Sequence, residues 1–375
     1  MKNIYFDNAA TTQLRPEVVL EITKVLTENY GNPSSTHSFG RQAKNLIELS
    51  RKSIAKNLNA TSPEIIFTSC GTEANNFIIQ SCIRDLKIER IITSKMEHHA
   101  VLHTVQILQE QYNVAIDYVA ILPSGEIDLV HLSELLSQQS KTLVSLMHVN
   151  NEIGTILNLD RAAKICKQYQ AYFHTDTVQS IGKVKIDLQE TPIDFLVASA
   201  HKFHGPKGIG FAFIRKGISI NPILLGGEQE KGLRAGTESV HNIVGMAKAL
   251  ELSYDNLEEE EKYISELKKY TVSQLESHFP GIKFNGNPSE ALYNILNIIL
   301  PFSEEKAAMI LFNLDMKGIA VSRGSACQSG SSKPSHVLAE ILTEEDLKKP
   351  SLRISFSHYN TVEDIDYLIE NLKSV

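Results

Sequence analysis

The sequence has few cysteines, no long apolar run and no excess of basic residues. Its four cysteines include no Cys-x-x-Cys pair and are too sparse for a disulfide framework, so we expect reduced thiols. The first residues lack the apolar core of a signal peptide, and no later stretch reaches membrane-spanning length. We therefore expect a cytoplasmic protein with no membrane partner.

The charge balance argues against nucleic acid as a partner. The chain has 37 basic and 44 acidic residues and a net charge of -7, which disfavours binding to a polyanion. Hydrophobic residues make up 42% of the chain and charged residues 22%, as is typical of globular proteins. Because 375 residues exceed the usual size of a single core, we expect one large and one smaller domain.

Short β-branched runs alternate with helix-like segments through the first two thirds of the chain. They lie at 65–67, 91–93, 115–119, 143–149, 171–174, 195–198 and 211–214. This alternation is typical of βαβ units and predicts an α/β fold with a mostly parallel seven-stranded sheet. The pattern is helical over 240–279, and strand-like runs follow at 293–300, 319–322 and 352–356. We expect a large domain over 15–255 and a small α/β domain formed by 1–14 with 256–375.

A lysine stands at the end of an apolar strand. Lys202 closes the segment Ser199-Ala200-His201-Lys202, and the constrained turn 205–208 follows it. An amine forms Schiff bases efficiently when burial or a cation lowers its pKa, and a pocket at a strand end provides such surroundings. Taken alone, a surface lysine in a loop is the simpler interpretation. A nucleotide P-loop is excluded because the order G-x-x-x-x-G-K-[ST] is absent.

Polar residues at other strand ends favour a catalytic lysine. Asp176 closes a strand, where an aspartate can pair with the pyridinium nitrogen of pyridoxal phosphate, and Gln179 could reach the phenolic oxygen. Gly71 and Thr72 open a helix after a strand, where backbone N–H groups and the positive helix end favour a phosphate. Each feature alone is weak, but together they predict a pyridoxal phosphate site.

Ten segments spread over nearly the whole chain match one protein family, in that family's order. They are 5–12, 30–35, 68–76, 97–98, 148–154, 176–180, 199–202, 234–237, 325–327 and 353–356. In these segments the chain resembles the class V aminotransferases, and most closely the cysteine desulfurases that supply sulfur for iron–sulfur cluster assembly. The resemblance implies the pyridoxal-phosphate-dependent transferase fold of type I.

The resemblance also implies a role for each matching position around the cofactor ring. Lys202 would carry pyridoxal 5'-phosphate as a Schiff base, and Asp176 would pair with its ring nitrogen. His98 would stack on the ring and move protons, while Gln179 would bind the phenolic oxygen. Asn151 would lie beside both the cofactor and the substrate.

Further positions are implied for the phosphate and for the substrate carboxylate. The phosphate would be bound by Gly71, Thr72, Ser199 and His201, with Thr237 contributed by the second subunit of a homodimer. Asn151 and Arg353 would bind the carboxylate of L-cysteine, for which a guanidinium fork is well suited. No metal site is expected.

Cys327 lies in a Gly/Ser-rich stretch, 322–333, where we expect poor packing and an exposed thiol. Arg323 and Lys333 favour the thiolate form. As a hypothesis, Cys327 takes the sulfur of L-cysteine as a persulfide and leaves L-alanine. The sulfur would then pass to an acceptor protein, such as an iron–sulfur scaffold, or serve tRNA thiolation.

Two alternatives remain open from the sequence. One is another pyridoxal phosphate reaction on the same fold, transamination or selenocysteine cleavage, in which Cys327 is incidental. The other is a non-enzymatic metal-binding protein, because His99 and His103 stand one helical turn apart near His98. We give the second little weight, since no carboxylate or cysteine set with recognised metal spacing accompanies these histidines.

Overall fold

The computed structural model describes residues 3–138, 140–323 and 335–374. After a short strand β1 (Ile4–Tyr5), a central sheet is built from seven strands: β2 (Ile65–Thr68), β3 (Arg90–Thr93), β4 (Ala115–Tyr118), β5 (Thr142–Ser145), β6 (Tyr172–Asp176), β7 (Phe195–Ser199) and β8 (Gly210–Ile214). Their order is β2-β8-β7-β6-β5-β3-β4. Strands β3 to β7 are parallel, and β8 is antiparallel to both of its neighbours. The predicted seven-stranded, mostly parallel sheet is confirmed.

Helices cover both faces of this sheet because successive strand residues point to opposite sides. The helices are α1 (Pro16–Glu28), α2 (Ser38–Asn57), α3 (Gly71–Leu86), α4 (His99–Tyr112), α5 (Leu129–Leu136), α6 (Leu159–Gln168) and α7 (Val240–Asp255). Leu143 and Val197 pack in one apolar cluster with α3 and α4. Val144 and Leu196, one position away along the same strands, pack in the other cluster with the remaining helices.

A second, smaller group of strands and helices follows α7. It contains α8 (Leu257–His278), β9 (Lys283–Phe284), β10 (Ile295–Ile299), α9 (Glu304–Met316), β11 (Ile319–Ala320), α10 (His336–Ala339), α11 (Glu344–Lys348), β12 (Ser351–Ser355) and α12 (Val362–Lys373). β9, β10 and β12 form an antiparallel sheet, and β1 pairs in parallel with β11. Phe6, Ile298 and Ile354 share one apolar core with α8 and α12. Among the described helices, none has both the length and the apolar character needed to cross a bilayer.

The structure differs from the predicted elements in three places. The helical stretch 240–279 is two helices, α7 and α8, separated at Asn256. Strand β5 ends at Ser145 rather than at residue 149. The next N–H on the side of β5 that faces β3 is that of Met147. This N–H donates to the Glu97 carboxylate (2.7 Å) instead of to a backbone carbonyl of β3, so the pairing of the two strands stops. β1 and β9 were not predicted, since strands of two residues show no periodicity. The division into 15–255 and 1–14 with 256–375 stays a prediction.

Candidate active site

Lys202 lies at the carboxyl end of β7, in the short 3-10 helix Ala200–Lys202. Its Nζ donates hydrogen bonds to the backbone carbonyl oxygens of Ala9 (2.7 Å) and Ala10 (2.8 Å). These carbonyls belong to the segment that follows β1, so the amine lies between the central sheet and the N-terminal segment. Ligands of parallel α/β sheets bind at this edge of the sheet.

Asp176 closes β6, the strand next to β7. The carboxylate is buried, and its two oxygens accept hydrogen bonds from the Asn75 side chain (2.7 Å) and the Val178 backbone N–H (2.9 Å). Because α3 supplies Asn75 and the turn after β6 supplies Val178, the orientation of the carboxylate is set from two sides. The two predicted ionisable groups, Asp176 and Lys202, therefore stand at adjacent strand ends.

His98 immediately precedes α4, and its Nδ1 accepts the backbone N–H of Ala100 (3.1 Å). Burial lowers the pKa of His98 below its ordinary value; Lys202 and two neighbouring histidines lower it further, while Asp176 opposes them. The ring is therefore neutral at neutral pH. Since Nδ1 accepts a hydrogen bond, the proton of the neutral ring is on Nε2.

The start of α3 forms a cradle for an anion. The helix begins at Gly71, and the side chain of the preceding Cys70 does not cap it. A Cβ placed on Gly71 would lie 2.6 Å from Cγ2 of Val178 and 3.7 Å from Cβ of Ser199. Because glycine has no Cβ, the backbone of the helix start can lie close to these two side chains. The Ser199 hydroxyl is buried without a hydrogen-bond partner among the described residues. Uncapped helical N–H groups beside such a hydroxyl fit a phosphate.

Two further residues were predicted for the phosphate, Thr72 and His201. Thr72 is exposed in the first turn of α3. His201 Nδ1 lies 3.2 Å from the Thr11 hydroxyl. Burial, aided by nearby lysines including Lys202, lowers the pKa of His201 to about 4. His201 is therefore a neutral hydrogen-bonding group at neutral pH.

Gln179 and Lys202 donate hydrogen bonds to the same backbone oxygen. Its Nε2 donates to the Ala9 carbonyl oxygen (2.9 Å), the same atom that accepts from Lys202, and its Oε1 is buried without a partner among the described residues. The predicted neighbour of the phenolic oxygen is thus close to the predicted cofactor lysine.

Arg353 and Asn151, predicted to bind the substrate carboxylate, are in contact. Arg353 lies on β12 with 1% of its surface exposed. Its Nη1 donates to the Asn151 backbone carbonyl (2.8 Å) and its Nη2 to Asp7 (2.9 Å). The Arg353 Nε is buried without a partner among the described residues. A guanidinium with a remaining donor can bind a carboxylate.

The described contacts of this cluster do not include Thr237. Thr237 is exposed, between the 3-10 helix Gln229–Gly232 and α7. Arg234, shortly before it, pairs with Glu73 in the first turn of α3 (2.9 Å), which attaches this segment to the cradle helix. Cys327 lies outside the described residues.

Several residues of the cluster were given no role from the sequence. Asp7 accepts a hydrogen bond from Arg353, and Asn75 donates one to Asp176. Glu97 accepts one from the backbone N–H of Met147. All three lie in segments that match the family, and this match was the one feature of the sequence that could have identified them. Burial raises the pKa of Glu97 well above its ordinary value.

The ring centroids of His99 and His103 are 4.8 Å apart, and the two rings stack. The described residues contain no group of three or more His, Cys, Asp or Glu suited to a metal.

Comparisons with known proteins agree with this geometry. The aminotransferase class-V family matches residues 4–368. The cysteine desulfurase IscS of Dictyoglomus turgidum is 43% identical over 376 residues, spanning 100% of this chain and 94% of that protein. IscS of Methanosarcina thermophila is 43% identical over 374 residues, spanning 98% and 91%.

Solved structures give the same result. A NifS-like protein from Rickettsia africae superposes with a TM-score of 0.88 at 35% identity, covering 100% of this chain and 99% of its own. The structure described as SspA in complex with cysteine superposes with a TM-score of 0.84 at 30% identity, covering 96% and 100%.

Proposed function

Because the chain belongs to the class V aminotransferase family and is a cysteine desulfurase, we propose that it leaves the sulfur of L-cysteine on Cys327. The net reaction of L-cysteine with the Cys327 thiol gives L-alanine and a persulfide at Cys327. Atoms and electrons balance without an external oxidant. The observation that carries the proposal is the pair of adjacent strand ends, with Lys202 on β7 and Asp176 on β6.

The residues at these strand ends fit pyridoxal phosphate, the cofactor general to the family. When bound, it supplies a carbonyl carbon that joins an amine and a ring that takes up electron density from the substrate. The Ser199 hydroxyl, which has no partner in the described part of the chain, and the start of α3 at Gly71, which the Cys70 side chain does not cap, fit the phosphate group. We assign Thr72 and His201 to the same group, with Thr237 contributed by the second subunit of a homodimer.

The remaining assignments concern the cofactor ring. Lys202 would bind the cofactor covalently, Asp176 would pair with the ring nitrogen, and Gln179 would bind the phenolic oxygen. Asn75 keeps the Asp176 carboxylate in one orientation. The neutral His98 ring would stack on the cofactor.

Proton movement and substrate binding are assigned to four side chains. The Ala9 and Ala10 carbonyls hold the Lys202 amine at the end of β7, from which it can accept and return a proton. His98 holds its proton on Nε2 and would donate it from there. Arg353 and Asn151 would bind the carboxylate of L-cysteine, with Asp7 holding the guanidinium in place.

The acceptor of the sulfur belongs to the proposal as well. A persulfide on Cys327 is a group that a second thiolate can attack, so an acceptor protein with a reactive cysteine fits this chemistry. We propose an iron–sulfur scaffold or a tRNA-thiolation protein as the acceptor. The non-enzymatic metal-binding alternative is set aside, because the full-length relatives are enzymes.

Product analysis tests the proposal. The purified protein is incubated with L-cysteine and no keto acid, and alanine and protein-bound persulfide are measured. Equal amounts of the two are expected from the native chain. Cys327→Ser should lose both products while keeping the visible absorption of the cofactor, and Cys166→Ala, at a buried position on α6, should keep activity.

Two outcomes would contradict the desulfurase mechanism. Alanine formation that requires an added keto acid would indicate transamination. Full activity of Cys327→Ser would show that this thiol is incidental. Comparing the rates with L-cysteine and L-selenocysteine decides between desulfuration and selenocysteine cleavage.

A further inference from the structure

A cavity of about 770 Å³ opens between α8, the segment 183–185 and the loop 288–293. Its volume is in the range of small-molecule sites, about 300–1,000 Å³. Among the described residues that line it, none belongs to the proposed active site. Its wall is aliphatic at Ile156, Val184, Leu257, Val272 and Leu292. We call this space the α8 cavity.

Two buried lysines line the α8 cavity. Lys183 is 7% exposed and donates to the backbone carbonyl oxygens of Gln179 (3.0 Å) and Lys202 (2.8 Å). Lys268 is 4% exposed and donates to those of Ala291 (3.3 Å) and Leu292 (3.0 Å). An ammonium has three N–H donors, so these bonds leave one donor on each lysine.

The charges of these two lysines are not balanced locally. In the part of the chain that the structure describes, neither ammonium forms an ion pair with a carboxylate, whereas the exposed Lys185 pairs with Glu258 (3.4 Å). A buried charge without a counter-ion is unfavourable. Accordingly, burial lowers the pKa of Lys183 to about 7, with a contribution from Lys202, and that of Lys268 to about 8. A bound anion would supply the counter-charge.

The other charged groups of the cavity lie at its rim. They are Lys185, Lys269, Glu258, Glu261, Glu276 and Glu290, all exposed. These four carboxylates and two ammoniums leave the rim with a net charge of -2, but water screens these exposed groups. Tyr293 also lines the cavity, and its pKa is raised by burial, so its hydroxyl is neutral at neutral pH. Lys183 and Lys268 are therefore the charged groups of the cavity that are shielded from water and have no ion-pair partner among the described residues.

We propose that the α8 cavity is a binding site for a small organic anion. The anionic group, a carboxylate or sulfonate, is held by Lys183 and Lys268, and the apolar body of the ligand contacts the aliphatic wall. The bound anion stabilises the charged form of Lys183. Because Lys183 also donates a hydrogen bond to the backbone carbonyl oxygen of Lys202, this charge stands next to the proposed cofactor lysine. That consequence rests on the proposed function, whereas the binding site itself does not.

Fluorescence titration of the purified holoprotein with 8-anilinonaphthalene-1-sulfonate tests the site. This probe joins one anionic group to an apolar body. We expect saturable binding of one probe per chain at pH 6.5. Lys268→Met and Lys183→Met should each weaken binding by about tenfold or more, since each removes a charge-assisted hydrogen bond. Lys269→Met, at the next position of α8 but on the exposed rim, should bind as the native chain does.

A pH series on the native chain needs no variant. The dissociation constant should rise between pH 6.5 and 9, as the two ammoniums lose their protons through about pH 7 and 8. N-phenyl-1-naphthylamine, which has the same apolar body without the sulfonate, should show no such dependence. Probe binding that is independent of pH, or unchanged in Lys268→Met, would overturn the site. Neither result bears on cysteine turnover, so the two proposals fail separately.

Discussion

At Arg353, a buried guanidinium is held by two partners, Asp7 and the Asn151 carbonyl, while its Nε has no partner among the described residues. The planar fork of a guanidinium binds a carboxylate at two points, which an ammonium cannot reproduce. If this group binds the substrate carboxylate, replacing it with lysine should weaken substrate binding more than it slows the chemical step.

We therefore expect Arg353→Lys to raise KM for L-cysteine by about tenfold or more, with a smaller change in kcat. Steady-state kinetics of alanine formation measures both. Arg215→Lys is the control: Arg215 is partly buried and bonds to the backbone carbonyls of Ile193, Leu188 and Thr191. An unchanged KM in Arg353→Lys would remove Arg353 from the substrate site.

Residue chemistry allowed some of these positions to be predicted and not others. Lys202 stands out because a lysine at the end of an apolar strand is unusual, and Asp176, weak evidence by itself, supports it from the end of another strand. The roles of Asn75 and Asp7 depend on contacts with residues 101 and 346 positions away, and nothing in their types reveals those contacts. The carbonyl oxygens of Ala9 and Ala10 are invisible to sequence reasoning because every residue has such an atom.

Among the elements, α3 contributes most to the proposed phosphate site. Its first residue has no Cβ, and an added one would lie 2.6 Å from Val178 Cγ2, a methyl group on a stiff β-branched side chain. Gly71→Ala would force Val178 and the helix start apart.

We expect Gly71→Ala to weaken pyridoxal phosphate binding by about tenfold, because the backbone N–H groups move away from the phosphate. Equilibrium titration of the apoprotein with the cofactor measures this. The double variant Gly71→Ala/Val178→Ala removes the clashing methyl group and should restore most of the affinity. If the single variant binds as tightly as the native chain, the cradle is not at Gly71.

The elements themselves were predictable where burial imposes a pattern. The seven β-branched runs became β2 to β8, and the inner strands β5, β7 and β8 are buried at every position because helices cover both faces of the sheet. The antiparallel direction of β8 was not predicted, since a strand has the same composition in either direction. The end of β5 was missed because it depends on a side chain, Glu97, that lies far away in sequence.

For the whole molecule, buried histidines link stability to pH. Burial lowers the pKa of His148 to about 4 and those of His174 and His204 to about 3. In the unfolded chain, histidines titrate near 6.5. Between these values the unfolded state binds more protons than the folded state, so stability falls as the pH drops below about 6.5. Burial raises the pKa values of the Glu97 and Asp194 carboxyls, and these two groups oppose the trend.

We expect the free energy of unfolding to decrease from pH 7 to pH 5, with each of the three histidines contributing up to about 1.4 kcal/mol per pH unit. Urea unfolding at a series of pH values measures it. His174→Gln, which removes one titrating ring, should show a shallower dependence. A free energy that is constant or rises toward pH 5 would contradict the burial of these rings as neutral groups.

In the proposed function, the Lys202 amine is the group that binds pyridoxal phosphate covalently. Borohydride reduction of the purified yellow protein, followed by proteolysis and peptide mapping, tests it most directly. We expect a pyridoxyl label on Lys202, and none on Lys183 or Lys207. A label on another lysine, or a reduced protein without any label, would contradict it.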